Sequence, residues 1–156
     1  MIRLRFHLLR AYIFLSLAKL LAIILMVEKT PLASVAGIIE KDGKILLLKQ
    51  TYVKGLGIPG GIIEATETLE TALWREIREE TGLSVTDSAY FYSTTAFFKG
   101  YPTLSIIFKA KAEGEMKGSD EGELVWINPE DALGKMAYEA SEKALRAYIN
   151  DKKMPQ

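Results

Sequence analysis

The stretch G-I-I-E-A-T-E-T-L-E-T-A-L-W-R-E-I-R-E-E-T-G-L, Gly61 to Leu83, decides how the rest of this chain is read. Its second half is helical by pattern from Thr68 to Thr81, and Gly82 supplies a left-handed C-cap. On a wheel advancing about 100° per residue, Leu69, Ala72, Leu73 and Ile77 share one side with Glu76, Glu79 and Glu80. Thr71, Trp74, Arg78 and Thr81 point the other way. A solvated charged face would separate the glutamates from the apolar residues, so the carboxylates belong to the inward side. Crowded there, they repel one another and drive up each other's pKa unless positive charge joins them. A divalent cation supplies that charge. Mg²⁺ and Mn²⁺ are hard ions that take carboxylate, carbonyl and water oxygens, and glutamates at i, i+3 and i+4 can converge on one or two of them. Arg75 stands four residues before Glu79, where a guanidinium can hold a carboxylate with two parallel hydrogen bonds.

The segment before the helix has two readings. Gly55 to Gly61 holds four glycines and Pro59, a constrained loop, and Pro59-Gly60-Gly61 lets a backbone carbonyl approach a cation where a side chain would block it. Equally, such a turn lets a strand meet a helix and does nothing more. Glu67 stands at the helix entrance.

Outward from this centre the texture is that of strands. Leu32 to Glu40 and Ile45 to Gln50 read as a hairpin, with Asp42-Gly43 as its turn. Ala89–Phe98 and Thr103–Ala112 flank a Lys99-Gly100-Tyr101-Pro102 turn, and Leu124–Ile127 is a short further strand. Asn128-Pro129-Glu130-Asp131 opens a helical stretch, and Tyr138–Asn150 is a final helix with Ala140, Ala144, Leu145, Tyr148 and Ile149 on its apolar side. Strand runs with two or three helices predict an α+β fold, or a mixed sheet with helices, in one domain.

Composition removes whole classes of chemistry. The 156 residues, 49% hydrophobic and 26% charged, suit one globular domain with a real core. With no cysteine, thiolate nucleophiles, iron–sulfur clusters and cysteine-ligated zinc are excluded. His7 is the only histidine, so catalysis in the body must use carboxylates, lysines, arginines, hydroxyls or a bound cation. The formal net charge of +0 hides a positive leader: Arg3, Arg5, Arg10, Lys19 and Lys29 face only Glu28 in residues 1–30. The remainder is mildly acidic, which argues against nucleic acid as a partner.

Residues 11–27 form an apolar run interrupted by Ser16 and Lys19. Residues 1–28 therefore carry three readings: a membrane anchor or surface helix, a helix packed on a partner protomer or the body, or a misassigned start with translation beginning at Met26. The body, residues 29–156, is expected to be one cytoplasmic domain, membrane-associated only if that leader acts as an anchor.

Gly61, Glu67, Arg75, Glu76, Glu79, Glu80 and Gly82, with aliphatic Ile77 and Leu83, match every fixed position of the Nudix box, G-x5-E-x7-R-E-U-x-E-E-x-G-U. Seven such identities arise by chance on the order of once in 10⁸ start positions. The chain thus resembles the Nudix hydrolases from Leu32 to the Trp126-Ile127-Asn128-Pro129 region. The resemblance implies a Nudix fold, a mixed sheet sandwiched between helices in an α/β/α arrangement, that hydrolyses a nucleoside diphosphate linked to another moiety. It implies that Glu76, Glu79 and Glu80 ligate Mg²⁺, for which Mn²⁺ can substitute, together with the Gly60 carbonyl. Glu76 is then a candidate base, Arg75 an orienting partner and Glu67 a supporting carboxylate. A further acidic ligand or substrate contact would come from Glu121 or Glu123. Tyr52, Phe97, Phe98, Tyr101 and Tyr138 are candidates for stacking on a base, with Tyr52 and Phe98 taken as substrate contacts; core or cross-strand packing is the alternative for each. The sequence is similar to ADP-ribose and nucleotide-sugar pyrophosphatases. (d)NTP pyrophosphohydrolysis and a non-catalytic nucleotide-binding module are the alternatives. Paired protomers are common in the resembled family.

Overall fold

The computed structural model describes residues 31–98 and 100–154. The predicted hydrophobic helix of residues 1–28 lies outside them. Among the described residues ten elements follow one another: β1 (Leu32–Lys41), β2 (Lys44–Gln50), β3 (Leu56–Gly57), β4 (Gly60–Ile62), α1 (Leu69–Thr81), β5 (Ser84–Phe98), β6 (Tyr101–Glu113), β7 (Gly122–Ile127), α2 (Pro129–Ala132) and α3 (Glu139–Lys153).

The strands make one seven-stranded mixed sheet with β1 at its centre. β1 runs parallel to β6 from Leu32↔Thr103 to Ile39↔Ala110, and antiparallel to β4 on its other side. β5 pairs antiparallel with β6, and β7 pairs antiparallel with β2. At the hairpin joining β1 to β2, Asp42 and Gly43 have φ of 51° and 77°. Both central residues are left-handed, as the two-residue turn requires.

Two apolar layers account for the sandwich. On one face Ala72, Leu73 and Ile77 of α1 pack on Val35, Ile39, Leu46 and Phe108. On the other, Ala144, Leu145, Tyr148 and Ile149 of α3 pack on Ile38, Ile45, Leu47 and Ile107. Neighbouring residues of one strand therefore serve opposite cores, which is why Ile45-Leu46-Leu47-Leu48 is an unbroken apolar run instead of an alternating one. Gly37 makes room for α1, since a Cβ there would lie 2.6 Å from the Ile77 side chain. Tyr148 and Lys152 both donate to Glu40, tying α3 to the end of β1.

The predicted α+β sandwich is thus the observed one, with corrections of detail. The loop from Gly55 to Gly61 contains the short strands β3 and β4, and β5 begins at Ser84, five residues before the Ala89 predicted. No helix among the described residues is long and apolar enough to cross a membrane.

Candidate active site

Helix α1 carries the acidic residues, and local chemistry fixes where it starts and stops. Thr68 is the N-cap and exchanges hydrogen bonds with Thr71, while Gly82 closes the helix at φ 74° with its N–H donating to the Arg78 carbonyl. Three wheel assignments fail towards the ends: those of Thr81, Leu69 and Glu79, whose carboxylate was placed inward but is exposed. Thr81 is fully buried, because its hydroxyl donates to the Ile77 carbonyl and accepts from Leu83 N–H, and Lys117 N–H covers its own carbonyl. Leu69, in the first turn, is 37% exposed.

The glutamates divide between two anchors. Glu80 is buried, and its Oε2 accepts the Gly60 N–H at 2.8 Å. Glu76 lies over Gly61, where any Cβ would sit 2.4 Å from its carboxylate. The glycine pair thus shapes the site in two ways: Gly60, at φ 151°, presses on β1, and Gly61 leaves the space that the Glu76 carboxylate fills.

Arg75 is the organising cation. Its Nε and Nη2 donate to the two oxygens of Glu67 at 2.6 and 2.8 Å, and its Nη1 donates to Glu76 at 2.8 Å and Glu79 at 3.2 Å. The bidentate partner is Glu67, eight residues back, and Glu79, the partner expected from i,i+4 spacing, receives a single longer bond. The reason is local: Glu67 also accepts the Glu64 N–H, which turns both its oxygens toward the guanidinium, whereas Glu79 stands largely in solvent. The Arg75 hydrogen bonds pull the Glu67 carboxyl down to a pKa of about 2.

The opposite holds deeper in. Burial raises the Glu80 pKa to about 8, with Glu121 and Glu76 adding like-charge repulsion against the Gly60 hydrogen bond. Burial raises Glu76 as well, opposed by Arg75. Glu121 is the acidic neighbour whose charge acts most strongly on Glu80. Glu123 does not join them; it sits across from Lys49 of β2 at 3.8 Å, exposed. Between the two acidic candidates the fold therefore brings Glu121 to the cluster.

Among the described residues no three acidic side chains form a ready-made ligand cluster. The donor set nevertheless fits a hard divalent cation: all oxygen, on both sides of Gly61, with more negative charge than Arg75 can balance.

These groups line a cleft of about 480 Å³. Gly60, Gly61, Arg75, Glu76, Glu80 and Glu121 line it together with Gln50, Phe97, Phe98, Ser34, Ser105 and Tyr138, and Gln50 stands next to Glu121 through the β2–β7 pairing. Phe98 and Tyr138 rings lie 5.4 Å apart at 58°. Tyr52 is 81% exposed and does not line the cleft, so the fold separates it from Phe98. The sequence reading missed Gln50, whose hydrophilic side chain at the end of an apolar strand was the available signal.

A family model described as NUDIX domain matches residues 29–148. The chain is 38% identical over 125 residues to an ADP-ribose pyrophosphatase of Methanocaldococcus jannaschii, covering 76% of this chain and 73% of that protein. It is also 38% identical over 104 residues to a CTP pyrophosphohydrolase of Escherichia coli, covering 64% and 77%. Among solved structures, the E. coli ORF135 protein superposes with a TM-score of 0.70 at 29% identity, over 80% of this chain and 92% of that one.

Proposed function

The chain belongs to the Nudix family of pyrophosphohydrolases, and from that premise we propose that its substrate is a nucleoside diphosphate joined to a second, uncharged moiety. ADP-ribose or a related nucleotide sugar is the substrate class, with Mg²⁺ as the cation and Mn²⁺ able to replace it.

One observation carries the substrate class. Arg75 is the only cationic side chain among the described residues lining the cleft, and it is already engaged by Glu67, Glu76 and Glu79. The rest of the lining is acidic or neutral. A third phosphate would bring further negative charge to a cleft whose described lining has no free guanidinium or ammonium to receive it, whereas a sugar needs only hydrogen-bonding groups and apolar surface. The similarity to a relative named ADP-ribose pyrophosphatase points the same way.

The residues divide the work accordingly. A divalent cation, when bound among these oxygens, neutralises the diphosphate and lowers the pKa of a nucleophilic water. Glu76, seated against Gly61 at the cleft wall, takes the water proton; no histidine is present in the body to do so. The water oxygen joins one phosphorus, the bridging P–O bond breaks, and the second phosphate leaves as an anion. Arg75 holds Glu67, Glu76 and Glu79 in fixed rotamers, Glu80 is fixed by Gly60, and Glu121 completes the acidic rim.

Hydrolysis of (d)NTPs is the second reading, favoured by similarity to a relative named CTP pyrophosphohydrolase. A panel of ADP-ribose, nucleotide sugars, dinucleoside polyphosphates and NTPs with Mg²⁺ separates the two. Preference for ADP-ribose or a nucleotide sugar supports the first reading, and preference for NTPs replaces it with the second. Saturable binding of a nucleotide with no product would instead mark a non-catalytic module.

A further inference from the structure

The cleft also contains a neutral hydrogen-bonding device that hydrolysis itself does not use. Gln50 closes β2, and its Oε1 accepts the Tyr138 hydroxyl at 2.8 Å, from the N-cap position of α3. A Cβ added to Gly57 would lie 2.8 Å from Gln50 Nε2, so the amide rests directly over that glycine. Both neighbours fix the amide: the phenol holds the oxygen and the missing side chain gives the nitrogen its place. Among the described residues Nε2 donates to no acceptor, and Oε1 keeps a second lone pair. What remains is a planar edge with one donor and one acceptor, lining the cleft beside the Phe98 and Tyr138 rings.

A nucleobase is the ligand chemistry that matches such an edge. Purines and pyrimidines present a donor next to an acceptor, which a glutamine amide pairs with through two bonds, and their faces stack on aromatic side chains. A phosphate offers no flat face for the rings. We propose that Gln50 is the specificity-determining residue that reads the base of the substrate, with Tyr138 as the positioning residue that orients its amide and Gly57 as the space the amide needs. This rests on the nucleotide reading above and adds which side chains of the cleft take which part of the substrate: the glutamates the diphosphate, Gln50 the base.

Gly57→Ala is an informative variant, because the added methyl meets the far end of a flexible side chain and no backbone, leaving the fold free to form while the amide moves. The test measures steady-state hydrolysis by the full chain with Mg²⁺ on ADP-ribose, its inosine analogue, and the base-free P1,P2-di(5-ribosyl) diphosphate. If the panel shows an NTP substrate instead, ATP, ITP and ribose 5-triphosphate serve in the same way. Wild type should discriminate between the amino and oxo bases by about tenfold in kcat/KM. Gln50→Ala and Gly57→Ala should shrink that ratio to about twofold or less by raising KM with kcat retained, leave the base-free rate unchanged, and Tyr138→Phe should fall between. Discrimination preserved in both variants would overturn the assignment, as would an equal loss on the base-free compound, which would make Gln50 a support for the glutamates. Failure of wild type on every nucleotide would instead overturn the nucleotide reading itself.

Discussion

The Gly60 N–H and the Glu80 carboxylate are bonded at 2.8 Å across 20 residues of chain, and that bond ties the glycine-rich turn to the last turn of α1. It also leaves Glu80 poorly compensated, since one amide hydrogen bond faces burial together with repulsion from Glu121 and Glu76. The folded-state pKa of about 8 stands above the ordinary 4.5, so Glu80 favours the fold at low pH and this contribution is lost as pH rises through about 8. Glu67 works in the other direction: its pKa of about 2 stabilises above 4.5 and fades as pH falls toward 2. Cation-free protein is therefore expected to melt at lower temperature near pH 8.5 than near pH 5.5. Glu80→Gln should flatten that difference, as read by calorimetry, and a divalent cation should reduce it.

Gly60→Ala and Gly61→Ala should fail differently. At Gly60 a Cβ would lie 2.2 Å from the Val35 carbonyl oxygen, a backbone atom, at a φ of 151°. We expect about 3 kcal/mol of lost stability in urea denaturation. At Gly61 the clash is with the Glu76 carboxylate, the end of a flexible side chain. That variant should fold with near-wild-type stability and lose activity by about 100-fold or more.

Arg75→Lys keeps the charge and removes the fork. A single ammonium cannot reproduce the paired bonds to Glu67 while also meeting Glu76 and Glu79. Activity should fall by about 10- to 100-fold, with a higher cation concentration needed for half-maximal rate.

How much of this was legible in the sequence follows the range of each interaction. The Gly82 C-cap of α1 and the Asp42-Gly43 turn were readable because turn and cap chemistry is local, whereas Thr68, read as helical, is the N-cap. Glu76 and Glu80 were placed inward correctly by helical period, and the sandwich by the box they belong to. The Glu67 partner of Arg75 was not legible, since helical spacing favours Glu79 and only the Glu64 turn brings Glu67 around. The choice of Glu121 over Glu123 depends on the β2–β7 register, which sets Glu123 opposite Lys49. Gln50 was missed for the same reason: its partners Tyr138 and Gly57 come from a distant helix cap and from a strand two residues long.

The two cores should be separable by truncation. Leu73→Ala and Leu145→Ala each remove a fully buried side chain, one from either face of the sheet, and each should cost about 2–5 kcal/mol in urea denaturation. Because Leu73 lies one turn from Glu76 and two from Glu80, its variant should also lose activity under conditions where both proteins remain folded, whereas Leu145→Ala should retain most of it.

The most direct measurement is ADP-ribose hydrolysis by wild type and Glu76→Gln, with and without Mg²⁺, alongside circular dichroism. Wild type should release AMP and ribose 5-phosphate only with the cation, and the folded variant should be slower by about 1,000-fold, the combined loss of a general base and a cation-facing carboxylate. A folded Glu76→Gln protein with an unchanged rate, or wild-type turnover indifferent to the cation, would contradict the account.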